Sequence, residues 1–257
     1  MKKLLVSLAA LALLAACNKD DDGNDVKQPE LLAKKITKIE MVGEQPYEFT
    51  YNKEGKIETI NSYKVTYGTK EVKYNGVTYT LEDGRTVKSV VEDDDASEYS
   101  YKDGYLTQCV WAKGSDEEKY AYTFKSGNLT QHIWSEKYEE DGKTEEDSET
   151  YDITYGKQSN NMNLDLLDII LGIYPNDASL LGIAGNRSVN LPEKAVCTYT
   201  YTDEDTGKEV KCEEICTFAY KTDAEGYITE INTTYTGKEN GKEVDNRTYK
   251  RVITYEK

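Results

Sequence analysis

Two stretches of the chain, YSYKDGYLTQCVW at 99–111 and YTFKSGNLTQHIW at 122–134, match almost residue for residue. Each opens with aromatics two residues apart, passes through Asp103-Gly104 or Ser126-Gly127, and returns through Leu106 or Leu129. Aromatics in alternation are the period-two signal of a half-buried strand, and a polar residue followed by Gly between two such runs signals a tight hairpin turn. The same unit recurs as FTYNKEGKI at 49–57, YTLEDGRTV at 79–87 and FAYKTDAEGYI at 218–228. The expected fold is therefore all-β, mainly an antiparallel meander of hairpins forming a curved or sandwich-like sheet. Four prolines leave most strands unbroken, and 22 Tyr against 3 Phe suit strands that are half wet.

A two-residue turn at Asp103-Gly104 sets Tyr101 opposite Leu106 and Tyr99 opposite Gln108, so these residues and Val110 share a core-facing side. Tyr122, Phe124, Leu129, Gln131 and Ile133 are their counterparts. The other face then carries Cys109 and Trp111, with His132 and Trp134 in the second copy. On this register Trp111 and Trp134 form a binding platform on the outer face, about 10 Å apart, and the competing reading makes them ordinary core. Equivalent strands about 10 Å apart also exclude a metal pair of Cys109 and His132, and leave His132 a surface residue.

One segment departs from alternation. NLDLLDIILG at 163–172 has an Asn cap, a Gly stop and apolar residues almost all round, which predicts a short buried helix, with a second turn possible by 182. Its expected role is a plug across one end or face of the sheet; the sharper alternative is the lining of an apolar ligand cavity.

The chain begins with a basic Met1-Lys2-Lys3, an apolar run from Leu4 to Leu14 too short to span a bilayer, and Ala15-Ala16 before Cys17. Residues 1–16 read as a lipoprotein signal peptide cleaved after Ala16, with Cys17 as the lipidated first residue of the mature chain. Residues 17–35 read as an acidic tether and 36–257 as a single β-rich domain. Lys19 followed by Asp20, Asp21 and Asp22 resembles the export signal of Bacteroidota lipoproteins, which implies display on the outer face of the outer membrane, the alternative being a periplasm-facing anchor. Acyl chains on Cys17 make the membrane a partner, since each buried methylene contributes about 0.8 kcal/mol.

The formal net charge of −16 repels nucleic acid and directs attention to neutral or cationic partners such as glycans or envelope proteins. Cys197, Cys212 and Cys216 flank a hairpin around residues 203–207. A Thr206-Gly207 turn sets Cys197 opposite Cys216, and a four-residue loop sets it opposite Cys212, so one disulfide is expected with its register open. Cys109 is left without an assigned partner. Acid clusters at Asp93–Asp95 and Glu145–Asp147 lack the twelve-residue calcium-loop pattern, so no metal site or cofactor is expected. One His, no Gly-x-Ser-x-Gly, no His-Glu-x-x-His and no phosphate-cradling loop argue against an enzyme.

The Tyr-x-Tyr hairpin units, YDITYGKQSNNMNLDLL at 151–167, GNRSVNLP at 185–192 and AEGYITEI at 224–231 together resemble the Bacteroidota lipoprotein family called domain of unknown function 4595, over roughly residues 45–255. The resemblance implies an envelope β protein and carries no catalytic residues. The resulting expectation is an outer-membrane lipoprotein acting as a non-catalytic binding or structural module. The alternative is a carrier or envelope chaperone for a lipid-like ligand, its cavity closed by the 163–172 helix.

Overall fold

The computed structural model describes residues 18–19, 25–91, 96–140, 142–203 and 205–257. The short strands β1 (Asn18–Lys19) and β2 (Asp25–Val26) pair with each other. A low wall follows: β3 (Ile36–Met41), β4 (Tyr47–Tyr51), β5 (Ile57–Ile60), β6 (Tyr63–Lys64), β7 (Thr66–Tyr67), β8 (Glu71–Tyr74), β9 (Val77–Glu82) and β10 (Arg85–Val91). The wall then rises through β11 (Ala96–Lys102), β12 (Tyr105–Lys113), β13 (Asp116–Lys125), β14 (Asn128–Glu140) and β15 (Lys143–Ser159). After the helix α1 (Leu166–Leu171) come β16 (Asn190–Thr202), β17 (Glu209–Thr222), β18 (Ile228–Glu239) and β19 (Lys242–Tyr255).

Strands β3 to β19 close into one antiparallel barrel, β19 returning to pair with β3. The chain is all-β, as its alternating aromatics require, and closure removes the sheet edges that an open meander would leave. The walls differ in height: β15 runs 17 residues and β5 four, or roughly 55 Å against 13 Å at about 3.3 Å per residue.

The hairpins do not keep the simple register expected of them. Tyr101 does oppose Leu106, but Ser100 opposes Gln108 and Tyr99 opposes Cys109, because Thr107 is an extra residue in β12. Thr130 repeats this in β14, where Phe124 opposes Leu129 and Thr123 opposes Gln131. Such a bulge lets two residues three apart face the same side. The barrel does this seven times, and both members of each pair are buried: Ile36/Ile39, Ile57/Ile60, Thr86/Ser89, Leu106/Cys109, Leu129/His132, Pro192/Ala195 and Ile228/Ile231. Gln108, Val110, Gln131 and Ile133 are thereby turned outward, and Cys109, Trp111, His132 and Trp134 inward, the reverse of the expected faces.

Antiparallel alternation puts all seven of these bulges at one end of the barrel, and residues 160–189 fill that end. Backbone N–H groups set free by the bulges bind this plug: Ile36 donates to Asn163 Oδ1 (2.9 Å), Thr86 to Ile183 O (2.8 Å) and Leu129 to Ser188 Oγ (3.1 Å). The excess of Tyr over Phe has its reason here too. Tyr51, Tyr155 and Tyr255 donate their hydroxyls to the carbonyls of the bulge-opening residues Ile36, Leu129 and Ile228, at 2.7, 2.9 and 3.0 Å. Each ring fills core while its hydroxyl satisfies a carbonyl the ladder has released, which Phe could not do.

The plug helix is capped by Asp165, whose side chain accepts from Leu167 N, rather than by Asn163; Gly172 ends it at φ 62°. Asn163 instead bridges the plug to the wall through Ile36 N and Tyr51 Oη. Met162, Leu164, Leu166 and Leu180 pack beneath the low wall, and Leu167, Ile173 and Tyr174 beneath the high one, so the plug end is solid core.

Candidate functional site

Above the plug the inner face of the high wall changes character. From the plug upward β14 presents Leu129, His132, Trp134 and Glu136, and β15 presents Ile153, Tyr151, Glu149 and Asp147. Apolar residues give way to aromatic rings, and the rings to carboxylates.

His132 marks the first transition. It is 2% exposed and stacks among Tyr120, Tyr122 and Tyr151, with ring centroids 5.0–5.9 Å apart. Neither ring nitrogen has a hydrogen-bond partner, and burial pushes its pKa down to about 4. The expected surface histidine is thus an interior neutral ring, because the Thr130 bulge rotates it inward. Cys109 is buried as well, its thiol pushed up to about 12 by burial, which makes it unreactive near neutral pH.

The tryptophans stand one step nearer the mouth. Trp111 pairs across the sheet with Glu118, and Trp134 with Tyr120. Trp134 Nε1 and Tyr120 Oη both donate to Glu118 Oε1, at 2.9 and 2.8 Å. Trp111, Glu118, Tyr120 and Glu136, with Cys109, Val91, Ser97, Pro175 and Asn176, line a recess of about 370 Å³ floored by the plug. Both tryptophans are half-buried. The platform expected on the outside is therefore an inner lining at the mouth, and the two indoles flank β13 on the same concave face as Leu106 and Leu129.

Acids follow the same face. Glu118 lies directly opposite Glu136, and Glu136 directly opposite Asp147, a ladder of three carboxylates on adjacent strands. Glu149, opposite Trp134, has its pKa raised by burial and by Glu214 nearby. A second recess of about 410 Å³ lies against the low wall, between Ile39, Met41, Tyr47 and Arg251, with Ile169 of the plug below. From the sequence the tryptophans are singled out but Glu118, Tyr120, Glu136 and Glu149 are not; the signal that could have found them is the acid–aromatic alternation of Glu118-x-Tyr120, Trp134-x-Glu136 and Asp147-x-Glu149-x-Tyr151.

The thiols do not pair as expected. Thr202 pairs with Glu209 around a six-residue loop, braced where Asp203 accepts from Thr206 N and Oγ1, so Cys197 meets Glu214 and Cys212 meets Tyr199. Cys216 lies opposite Ala195, and all four thiols, Cys109 included, are free. Among the described residues, no group of three His, Cys, Asp or Glu side chains is arranged to hold a metal. Ala15, Ala16, Cys17, Asp20, Asp21 and Asp22 lie outside the described residues, as do Asp93 to Asp95; Lys19 falls in β1.

The N-terminal segment crosses the plugged end. Val26 and Val189 close over Gly127, Gln28 Nε2 donates to Arg187 O and to Tyr105 Oη, and Leu32 N donates to Asn161 O. The mouth is at the other end. Outward positions on the high wall carry Thr150, Asp152, Thr154, Lys194, Thr198, Glu213, Thr217, Asn232, Thr234, Asn246 and Lys250. A barrel that crosses a bilayer shows an apolar band about 25 Å tall on that face; here the outward apolar residues Val110, Ile133, Val196 and Ile215 stand singly or in a pair among these polar side chains.

No family model matches the chain, and neither does any curated protein. Solved structures with the same fold include a porin-like protein from Bacteroides vulgatus ATCC 8482, with a TM-score of 0.63 and 17% identity over 87% of this chain and 99% of that one. Another is a porin-like protein from Bacteroides uniformis ATCC 8492, with a TM-score of 0.57 and 17% identity over 89% of this chain and all of the other. At this identity the likeness is one of barrel architecture.

Proposed function

We propose that this chain is a lipid-anchored outer-membrane protein of the kind grouped as domain of unknown function 4595, a non-catalytic binding module whose ligand enters the open mouth of the barrel. The observation that carries the reading is the inner face of the high wall, where Trp111, Tyr120, Glu118 and Glu136 line a recess above a solid plug and Trp134 donates a hydrogen bond to Glu118. Half-exposed indoles beside oriented acceptors suit recognition of a glycan or of a protein segment. The solid plug end favours this over a lipid carrier, which needs an enclosed apolar cavity.

The polar outer wall supports a barrel that stands in water and is held by acyl chains on Cys17 rather than by its strands. The path of residues 26–32 across the plugged end supports an orientation in which the plug faces the bilayer and the mouth faces away from it. Cell fractionation tests the anchor: Cys17→Ser is expected to move the protein from the membrane pellet to the soluble pool. Wild type and variant both remaining in the pellet, with no acyl chain on the wild-type peptide, would overturn it. Protease added to intact cells is expected to clip the exposed tips of the high wall, and full protection would place the barrel on the periplasmic side.

A further inference from the structure

The recess under Trp111 specifies the charge of its occupant. Glu118 and Glu136 face each other directly across β13 and β14, with Asp147 next in line on β15. Strands stand about 4.8 Å apart, and like charges directly opposite each other destabilise a sheet. Among the described residues, no ion pair relieves Glu118 or Glu136. Glu118 is nevertheless fixed, one oxygen taking hydrogen bonds from both Trp134 and Tyr120.

The opposite part of the same wall shows what such a combination holds. On β19 the Arg247 guanidinium lies over the rings of Tyr235 and Tyr249, at 5.0 and 5.8 Å, and pairs with Asp245. Two aromatic faces and a carboxylate there surround a cation supplied by the chain. At the recess, Trp111 and Tyr120 with Glu118 and Glu136 repeat the combination without one. The aromatic walls, with no three-ligand metal geometry among the described residues, favour an organic cation, attracted by ring quadrupoles as well as by charge.

We propose that this recess binds an organic ammonium or guanidinium group, seated between Trp111 and Tyr120 and neutralising Glu118 and Glu136. The proposal rests on the mouth being the binding face and adds the charge of the ligand. Of the two tryptophans of the chain, Trp111 lines the recess and Trp134 is hydrogen-bonded to its Glu118, so intrinsic fluorescence reports on it.

The experiment titrates the full mature protein with tetralysine and with a glucosamine tetramer, two sources of the same ammonium chemistry, against the neutral N-acetylglucosamine tetramer and calcium chloride. A saturable change with either amine, weakened by salt and at least about tenfold weaker in Glu136→Gln, supports the proposal, and which amine acts identifies the source. The unliganded Glu136→Gln protein is also expected to melt about 1–4 °C higher than wild type, since the variant relieves the like-charge contact. Equal binding of the acetylated tetramer would overturn the charge assignment while leaving the mouth as the binding face. A response to calcium alone, or no saturable response to either amine, would overturn the proposal outright, as would a Glu136→Gln protein that binds as wild type does.

Discussion

The two ends of this barrel are built from the same hairpins and obey opposite rules. At the plugged end the inward residues are packed: bulge pairs such as Ile57/Ile60 and Ile228/Ile231 meet the plug, and the hydroxyls of Tyr51, Tyr155 and Tyr255 meet carbonyls the bulges release. At the mouth, inward residues are half-exposed and Glu118, Glu136 and Asp147 stand in a row of like charge. One end is arranged for stability and the other keeps an unfavourable arrangement that a ligand would relieve, the trade-off expected when function and stability compete for the same scaffold.

The comparison breaks if the mouth proves as important to folding as the plug. On strand β14, Leu129→Ala at the plugged end is expected to cost about 2–5 kcal/mol, the range for emptying a fully buried leucine site. Trp134→Phe, five residues on, should cost much less, since the ring is half-exposed and an aromatic remains. Denaturant melts of the two variants measure this difference, and similar losses would make the whole barrel one uniform core.

His132 sits where the two regimes meet and gives the comparison a pH axis. Its pKa lies near 4 in the folded barrel against 6.5 for an ordinary histidine, so the unfolded chain binds the proton more readily. This contribution is fully present above about pH 6.5, is lost as pH falls toward 4, and changes no further below that. The shift corresponds to roughly 3 kcal/mol. His132→Phe keeps the stack with Tyr122 and Tyr151 and is expected to flatten that part of the stability profile; an unchanged slope would mean that the histidine is solvated rather than sealed inside.

A smaller effect sharpens the account of the bulges. Ser188 Oγ accepts from Leu129 N and also lies 3.0 Å from Tyr155 Oη. Ser188→Ala leaves the Leu129 amide unpaired in the core, at an expected cost of about 1–2 kcal/mol. Hydrogen exchange at Leu129 N should accelerate relative to its neighbours, and unaltered protection would show that the plug does not secure the bulge.

Much of this architecture can be read directly from the chain. The paired copies at 99–111 and 122–134, the polar-Gly turns and the helix stop at Gly172 determine strands, turns and helix, because alternation and left-handed glycine conformations are local properties. Even the bulges have a sequence trace, in the i, i+3 spacing of ITKI, IETI, LTQC, LTQH and ITEI, where strict alternation would put the apolar residues two apart. Which face each side chain takes was decided only in the assembled barrel. One inserted residue in a strand reverses the direction of everything beyond it, and whether the insertion occurs depends on a plug more than thirty residues away offering Ser188 and Asn163 to the freed amides. For that reason Trp111, Trp134 and His132 could be named from the sequence but not placed. The closure of β19 onto β3, and the thiol register set by the 203–208 loop, likewise belong to the tertiary structure, since both depend on contacts that no local pattern encodes.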